Sequence, residues 1–499
     1  MPYSNIELFT PELCLCGLGL LVLIVDLFVA PRARWLAPTV AVVGLAACLH
    51  PILELWGTAP VLEFAGSYAV DAAAVFFKAF FAVVGILVVL LSVGYAARPW
   101  RRAQAETSDA SAADPLPSSG EFYSLIVFLV LGMSLMAGAN DLVLIYLAFE
   151  LVSLTSYLMA AWRKTDPGSN EAGVKYFVYG AAASGVMLYG MTLVYAAGGT
   201  TNLTALSQHF LQPVQGGGLA LLGVLGPLLM MVGLGYKISM VPFQAWAPDV
   251  YQGAPTPVTA LLSVGPKAAG FALIVRFFYT LAPALHVPWQ MVFAILAVLT
   301  MFTGNLLAIR QTNVKRMLAY SSIAHAGYLL IGFVVGPNEL WGLPGILVYL
   351  VAYLLMNLGM FAVAIVLERE AGHSELSRFA GLAQSAPGLA ALTVILLLSL
   401  TGIPPTAGFL GKVYIFGAAI KSREWAWLAV VGIINSVISL YYYMNIARLM
   451  YFQKDSGTAL QRVPAVLTVT AVLCALGTLG VCIFPDWLVE AARLTMAAR

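Results

Sequence analysis

A chain of 499 residues that is 61% hydrophobic and only 10% charged carries more apolar surface than a water-soluble globule can hide, which excludes a soluble enzyme and calls for lipid as the solvent. The 25 basic and 23 acidic residues nearly balance, and no nucleic-acid partner is expected.

A run of about 20 apolar residues crosses a hydrocarbon core roughly 30 Å thick. Fourteen such runs fill nearly the whole sequence, over 9–30, 35–57, 71–95, 121–139, 140–161, 172–198, 218–243, 255–283, 288–309, 315–336, 341–368, 387–420, 425–452 and 464–490. The predicted class is therefore an all-α membrane protein of about 14 spans.

No positive region precedes the first run, and the first basic residues, Arg32 and Arg34, follow it, so it reads as a span with the amino terminus outside and not as a cleavable signal. That orientation makes the loops after odd-numbered spans cytoplasmic. They hold Arg32, Arg34, Arg98, Arg101, Arg102, Arg163, Lys164, Arg310, Lys315, Arg316, Arg369, Arg378, Arg448, Lys454 and Arg462, whereas the outer segments hold Lys421, Arg423, Arg493 and Arg499. The location expected is a bacterial inner membrane, crossed many times.

After the first three spans (1–96), residues 97–120 run from Arg98–Arg102 into an Ala/Ser/Asp/Pro stretch and read as a cytoplasmic connector. Beyond it, two segments resemble each other. NDLVLIYLAFE (140–150) and NVKRMLAYSSIAH (313–325) both open on Asn, reach Tyr six or seven residues on, and carry an ionisable group further along. Downstream, YKISMVPFQAW (236–246) and GIPPTAGFLGKVY (402–414) each set a lysine beside a Pro break, in reversed order. This pattern predicts two inverted repeats of five spans, 121–284 and 285–455, with spans 7 and 12 discontinuous and 456–499 forming the last span.

Six basic residues, Lys78, Lys175, Lys237, Lys267, Arg276 and Lys412, fall inside predicted spans. An ionisable group at the bilayer centre costs at least about 2.5 to 3.5 kcal/mol, so each needs a partner, a wet cavity or a function. Glu150 lies halfway along span 5 with nothing nearby in sequence to pair with it, so its partner is expected on another helix. Lys237 sits among Gly233, Gly235 and Pro242; Lys267 follows Pro266; Lys412 follows Pro404, Pro405, Gly408 and Gly411. Lysines beside helix breaks, together with Glu150, form a candidate proton-carrying axis, because moving one charge switches a buried lysine between holding and releasing a proton.

His325 is a candidate shuttle near neutral pH and Lys175 a further candidate. Lys175 and Arg276 lie nearer span ends and are expected to snorkel toward a surface. Asp26, Glu54, Asp71 and Lys78 are expected in structural or interface roles. The five cysteines lack metal-site spacing and read as packing residues, and no Gly-rich phosphate loop follows a strand, so redox chemistry is expected in another polypeptide.

The segment YKISMVPFQAWAPDVYQGAPTPVTALLSVGPKAAGF (236–271) resembles the signature of the proton-conducting membrane subunits shared by complex I and multisubunit cation/proton antiporters. FELVSLTSYLMAAW around Glu150, EAGVKYFVYGAAASGVMLYG from Glu171, VKRMLAYSSIAHAGYLL from Val314 and LTGIPPTAGFLGKVYIF from Leu400 resemble the N-type subunit. The resemblance implies that Glu150 and Lys237 are a charge-coupled pair, Lys267 the central transfer lysine and Lys412 the terminal group of a second half-channel. Gln244 stands where relatives often have a histidine, so no proton-carrying role transfers to that position.

The resemblance further implies no cofactor in this subunit, with FMN, iron–sulfur clusters, NADH and quinone used elsewhere in the complex, and M-type, K-type and J-type membrane neighbours. Three other readings share much of this sequence: a cation/proton antiporter subunit without redox chemistry, a non-conducting membrane scaffold, and the equivalent subunit of a ferredoxin- or hydrogenase-linked complex.

Overall fold

The computed structural model describes residues 5–28, 33, 35–96, 120–211, 217–285, 289–336, 341–371, 374–454 and 463–497. The connector expected over 97–120 thus lies outside the described residues, apart from Gly120, which opens a helix. Arg32, Arg34, Arg98, Arg101, Arg102, Arg462 and Arg499 lie outside them too.

Helices α1 (Thr10–Phe28) and α2 (Leu36–Glu54) lead to a hairpin of β1 (Val61–Glu63) and β2 (Tyr68–Val70), followed by α3 (Ala72–Ala96), α4 (Gly120–Gly138), α5 (Leu142–Ala160), α6 (Pro167–Gly198), α7 (Leu203–Phe210), α8 (Gly217–Ile238) and α9 (Trp246–Gly253). The chain continues through α10 (Thr256–Leu285), α11 (Trp289–Ile309), α12 (Val314–Val335), α13 (Gly342–Ala371), α14 (Leu382–Ser385), α15 (Pro387–Thr401), α16 (Ala407–Lys421), α17 (Ala426–Phe452), α18 (Ala465–Ile483) and α19 (Asp486–Ala497).

Among the described residues, 13 helices are long and apolar enough to cross a membrane. The remaining predicted span, 387–420, is the broken pair α15 and α16. The span predicted over 218–243 is also broken, since α8 ends at Ile238 and α9 resumes at Trp246. Prolines 242, 404 and 405 cannot donate to a helix, and Ser239 (φ +59) and Gly402 (φ +87) turn the chain at the breaks. Freed carbonyls find partners inside the protein: Trp246 Nε1 donates to the Tyr236 carbonyl at 3.1 Å and Lys412 Nζ to that of Thr401 at 2.7 Å.

Some boundaries differ from the sequence reading. Helix α6 starts at Pro167, five residues before the predicted 172, because Asp166 caps it and Pro167 suits its first turn. The last predicted span divides at Pro485, leaving α18 and the separate amphipathic α19. The β1–β2 hairpin and α7 carry too few residues to register as spans.

Two matching local structures lie far apart in sequence. Asp141, before α5, bridges Asn202, after α6; Asn313, before α12, bridges Glu375, after α13. Each bridge has the same pair of bonds, Leu142 N to Thr201 O with Leu203 N to Asn140 O, and Val314 N to Ser374 O with Leu376 N to Thr312 O. Asp141 and Asn313 also cap their helices, accepting from Val143 N and Arg316 N.

Helices α10, α12 and α13 are almost wholly buried and form the centre of the bundle, while α1, α2, α6, α11, α17 and α18 turn most of their apolar surface outward, as lipid-facing helices do.

Candidate functional site

The buried ionisable groups gather where the two breaks meet the central helices. Lys237, in the last turn of α8, is 1% exposed; its Nζ donates to Ser153 Oγ of α5 at 2.7 Å and lies 4.1 Å from the centre of the Phe149 ring. Glu150 sits between these two contact residues, within electrostatic reach of Lys237. Lys237 of α8 is thus the charge that faces Glu150 from another helix, although the two form no direct ion pair among the described residues and Glu150 Oε1 is buried without a hydrogen bond. Helix geometry explains this, because Ser153, one turn further along α5, takes the ammonium instead.

Helix α10 supplies the next group. A Cβ on Gly270 would stand 3.3 Å from Lys237 Cγ, so the Lys237 stem lies directly on α10, one turn beyond Lys267. Lys267 Nζ donates to Ser322 Oγ of α12 at 2.7 Å, with the Tyr251 ring of α9 5.8 Å away. No carboxylate pairs with it among the described residues, so a hydroxyl and an aromatic face stand in for one at this buried amine.

Helix α12 then links Lys267 to Lys412. Ser322, His325 and Tyr328 recur every three residues and line one face. His325 is held at both ring nitrogens, Nδ1 to Tyr349 Oη at 2.6 Å and Nε2 to Tyr443 Oη at 3.2 Å, and Tyr443 Oη is also hydrogen-bonded to Ser321. Both Lys267 and Lys412 lie within electrostatic reach of the imidazole. Lys412 lies 4.7 Å from the Tyr328 ring centre and donates to the carbonyls of Thr401 and Leu400, the frayed end of α15. Gly402 makes this possible, because a Cβ there would stand 2.7 Å from Lys412 Cδ.

Lys175 is placed elsewhere. It is part exposed and bonds Asp249 at 2.8 Å and Glu171 at 2.6 Å, while Arg316 binds the other oxygen of Asp249 at 2.5 Å. This cluster ties α9 to α6 and α12 near their ends.

Arg276 does not snorkel. It is 6% exposed, pairs with Asp71 at 2.9 Å and donates to the Ala137 carbonyl, because α3 and α4 cover that face of α10. Lys78 pairs with Glu12 at 2.8 Å, and Tyr68 donates to the same Glu12 oxygen, a buried structural knot in the first three helices. Lys315, counted above with the cytoplasmic loop, is buried, 3.8 Å from Glu368.

Sequence reasoning missed Ser153, Ser322, Tyr349, Tyr443, Glu12 and Glu368. The three-residue spacing of Ser322, His325 and Tyr328 was the one local signal available; the others are brought in by tertiary contacts.

Residues 139–439, which include every buried group of this row, match the family model for the transmembrane region of NADH:quinone oxidoreductase and Mrp antiporters. The chain belongs to this family. Its relatives include NADH-quinone oxidoreductase subunit N 2 of Chloroherpeton thalassium, 43% identical over 90% of this chain and 85% of that one, and subunit N of Trichlorobacter lovleyi, 39% identical over 98% and 96%. Among solved structures, a chain of respiratory complex I from Thermus thermophilus with bound Aureothin superposes with a TM-score of 0.77 at 30% identity, over 96% of this chain and 98% of that one. This member of the antiporter-like family is an all-α, multi-pass membrane protein.

Proposed function

We propose that the chain is the N-type membrane-arm subunit of a proton-translocating NADH:quinone oxidoreductase, and that Glu150, Lys237, Lys267, His325 and Lys412 carry its protons. The observation that carries this reading is the row itself: three lysines and a histidine, each at least 95% buried, with no carboxylate bonded to any of them among the described residues, and with hydroxyl groups, which both donate and accept, bonded to Lys237, Lys267 and His325. Structural ion pairs look different, as Lys78 with Glu12 and Arg276 with Asp71 do here.

The matching bridges at Asp141 and Asn313 and the two helix breaks support two repeats, over 121–284 and 285–455, between the amino-terminal helices 1–96 and the closing segment 456–499. An excess of basic residues in the loops after odd spans supports an amino terminus outside a bacterial inner membrane. M-type, K-type and J-type subunits would be its neighbours, and FMN, iron–sulfur clusters, NADH and quinone would act in other subunits. Lys175 enters as a positioning residue, since its bonds hold α9 and not the relay.

The test is NADH-driven proton uptake and quinone reductase activity in membrane vesicles carrying Lys267→Ala, with assembly of the complex verified. Loss of uptake together with coupled turnover is expected. Wild-type values for both in assembled complex would leave the scaffold reading as the better one.

A further inference from the structure

The buried pair Lys315–Glu368 and the interface between α10 and α13 take no part in the row just described. Glu368 is 4% exposed; one carboxylate oxygen accepts from Thr256 at the start of α10, the other lies 3.8 Å from Lys315 Nζ, and Lys315 also donates to the Ala254 carbonyl at 2.9 Å. Three turns away along α13, about 16 Å by helical rise, and two turns along α10, about 10 Å, Asn357 Nδ2 of α13 donates to Ser263 Oγ of α10 at 2.6 Å. Ser263 lies one turn before Lys267. One turn from Asn357, the Tyr353 ring of α13 lies 5.1 Å from that of His325, tilted by 40°.

This interface is polar where it needs no polarity for packing. Asn357 Oδ1 is buried without a hydrogen-bond partner, and the buried Oη atoms of Tyr353 and, on the adjoining α9, Tyr251 approach the Ser322 hydroxyl without forming a well-shaped bond. Turning the Asn357 amide over would strand its other end instead. All three side chains are at least 98% buried, and the hydroxyl of Ser322, the residue that holds Lys267, faces both phenols. Buried polar atoms in native proteins are paired with protein or with ordered water.

We propose that the α10–α13 interface is a proton uptake path into the central lysine, with Glu368 as its loading group and water held by Asn357, Tyr353 and Tyr251 as its carrier. Its outer end lies beside the part-exposed Arg163–Asp166 pair, whose charges reach Lys315. A proton taken up on the Glu368 carboxylate passes to water at Asn357 and Tyr353 and then to the neutral amine of Lys267, which becomes ammonium while Glu368 returns to carboxylate. Lys315 balances the carboxylate between cycles. The inference rests on the relay reading, since it needs Lys267 to receive a proton.

The structural alternative is that Lys315 and Glu368 only hold two helices together. A buried ion pair replaced on both sides by apolar residues of similar volume often keeps its stability, so Lys315→Met/Glu368→Met separates the two. NADH-driven proton uptake is measured in vesicles for this double variant, for Asn357→Leu, which leaves the ion pair intact, and for Lys267→Ala, with assembly verified for each. Uptake lower by about tenfold or more in assembled double variant and in assembled Asn357→Leu is expected. Wild-type uptake in either overturns the path, and if the double variant does not assemble, Asn357→Leu decides alone. Neutral path variants beside a defective Lys267→Ala would sink this inference and spare the relay; a neutral Lys267→Ala would remove the relay itself.

Discussion

Gly402→Ala tests whether the position of Lys412, and not only its charge, matters. Gly402 follows α15 with φ +87 and ψ 47, a left-handed conformation that an L side chain adopts at a cost of about 1–2 kcal/mol. The added Cβ would also meet Lys412 Cδ at 2.7 Å and its Cε and Nζ at 3.3 Å, too close for the lysine to stay where it is. A shift of the Lys412 stem is expected to weaken the bond from its Nζ to the Thr401 carbonyl, now 2.7 Å away, a charge-assisted bond worth about 1.5–3 kcal/mol. The conformational cost alone shifts the balance between the intact and the opened break by about 5–30-fold. The expected result in vesicles is assembled complex with NADH-driven proton uptake cut to the level of Lys412→Ala, although every ionisable residue is still present. Uptake at the wild-type level in assembled Gly402→Ala would refute the idea that Lys412 must rest on the end of α15.

Ser322→Ala should weaken proton transfer while keeping Lys267. It removes the hydrogen bond from Lys267 to Ser322, worth about 1.5–3 kcal/mol when the amine is charged, and Ser322→Thr, which keeps the hydroxyl, should restore uptake; equal uptake in both variants would contradict a role for that bond. In the first three helices, Lys78→Met should destabilise the protein by about 3–5 kcal/mol, read as a lower thermal midpoint of the purified complex, because it strands Glu12 in the interior. Glu12→Met/Lys78→Met should recover most of that loss, and its proton uptake should match the wild type.

The N-terminal knot and the central row show why single buried charges are ambiguous in sequence. Lys78 and Lys267 both interrupt apolar runs, yet one meets a carboxylate from α1 and the other only a serine from α12. No local pattern separates them. Position relative to a Pro or Gly break guided only in part: Lys237 and Lys412 flank the breaks at α8–α9 and α15–α16, whereas Lys267, beside Pro266, lies within the unbroken α10. The two segments that resemble each other in sequence, 140–150 and 313–325, also carry the two matching bridges, one residue off the sequence match. Asn140 and Asn313 looked equivalent, whereas the bridges align Asp141 with Asn313, so that Glu150 and Ser322 each lie nine residues past the bridging residue.

The sequence by itself determined what depends on single residues and their order. Apolar run length set the spans, because a bilayer admits only stretches that satisfy their own backbone, and Pro and Gly set the breaks through missing donors and allowed φ. Only the tertiary structure decided which buried charge meets which partner. Helices that face one another come from distant parts of the chain, and a side chain's electrostatic role depends on the few ångströms around its head group, as the pairing of Arg276 with Asp71 and of Lys315 with Glu368 shows.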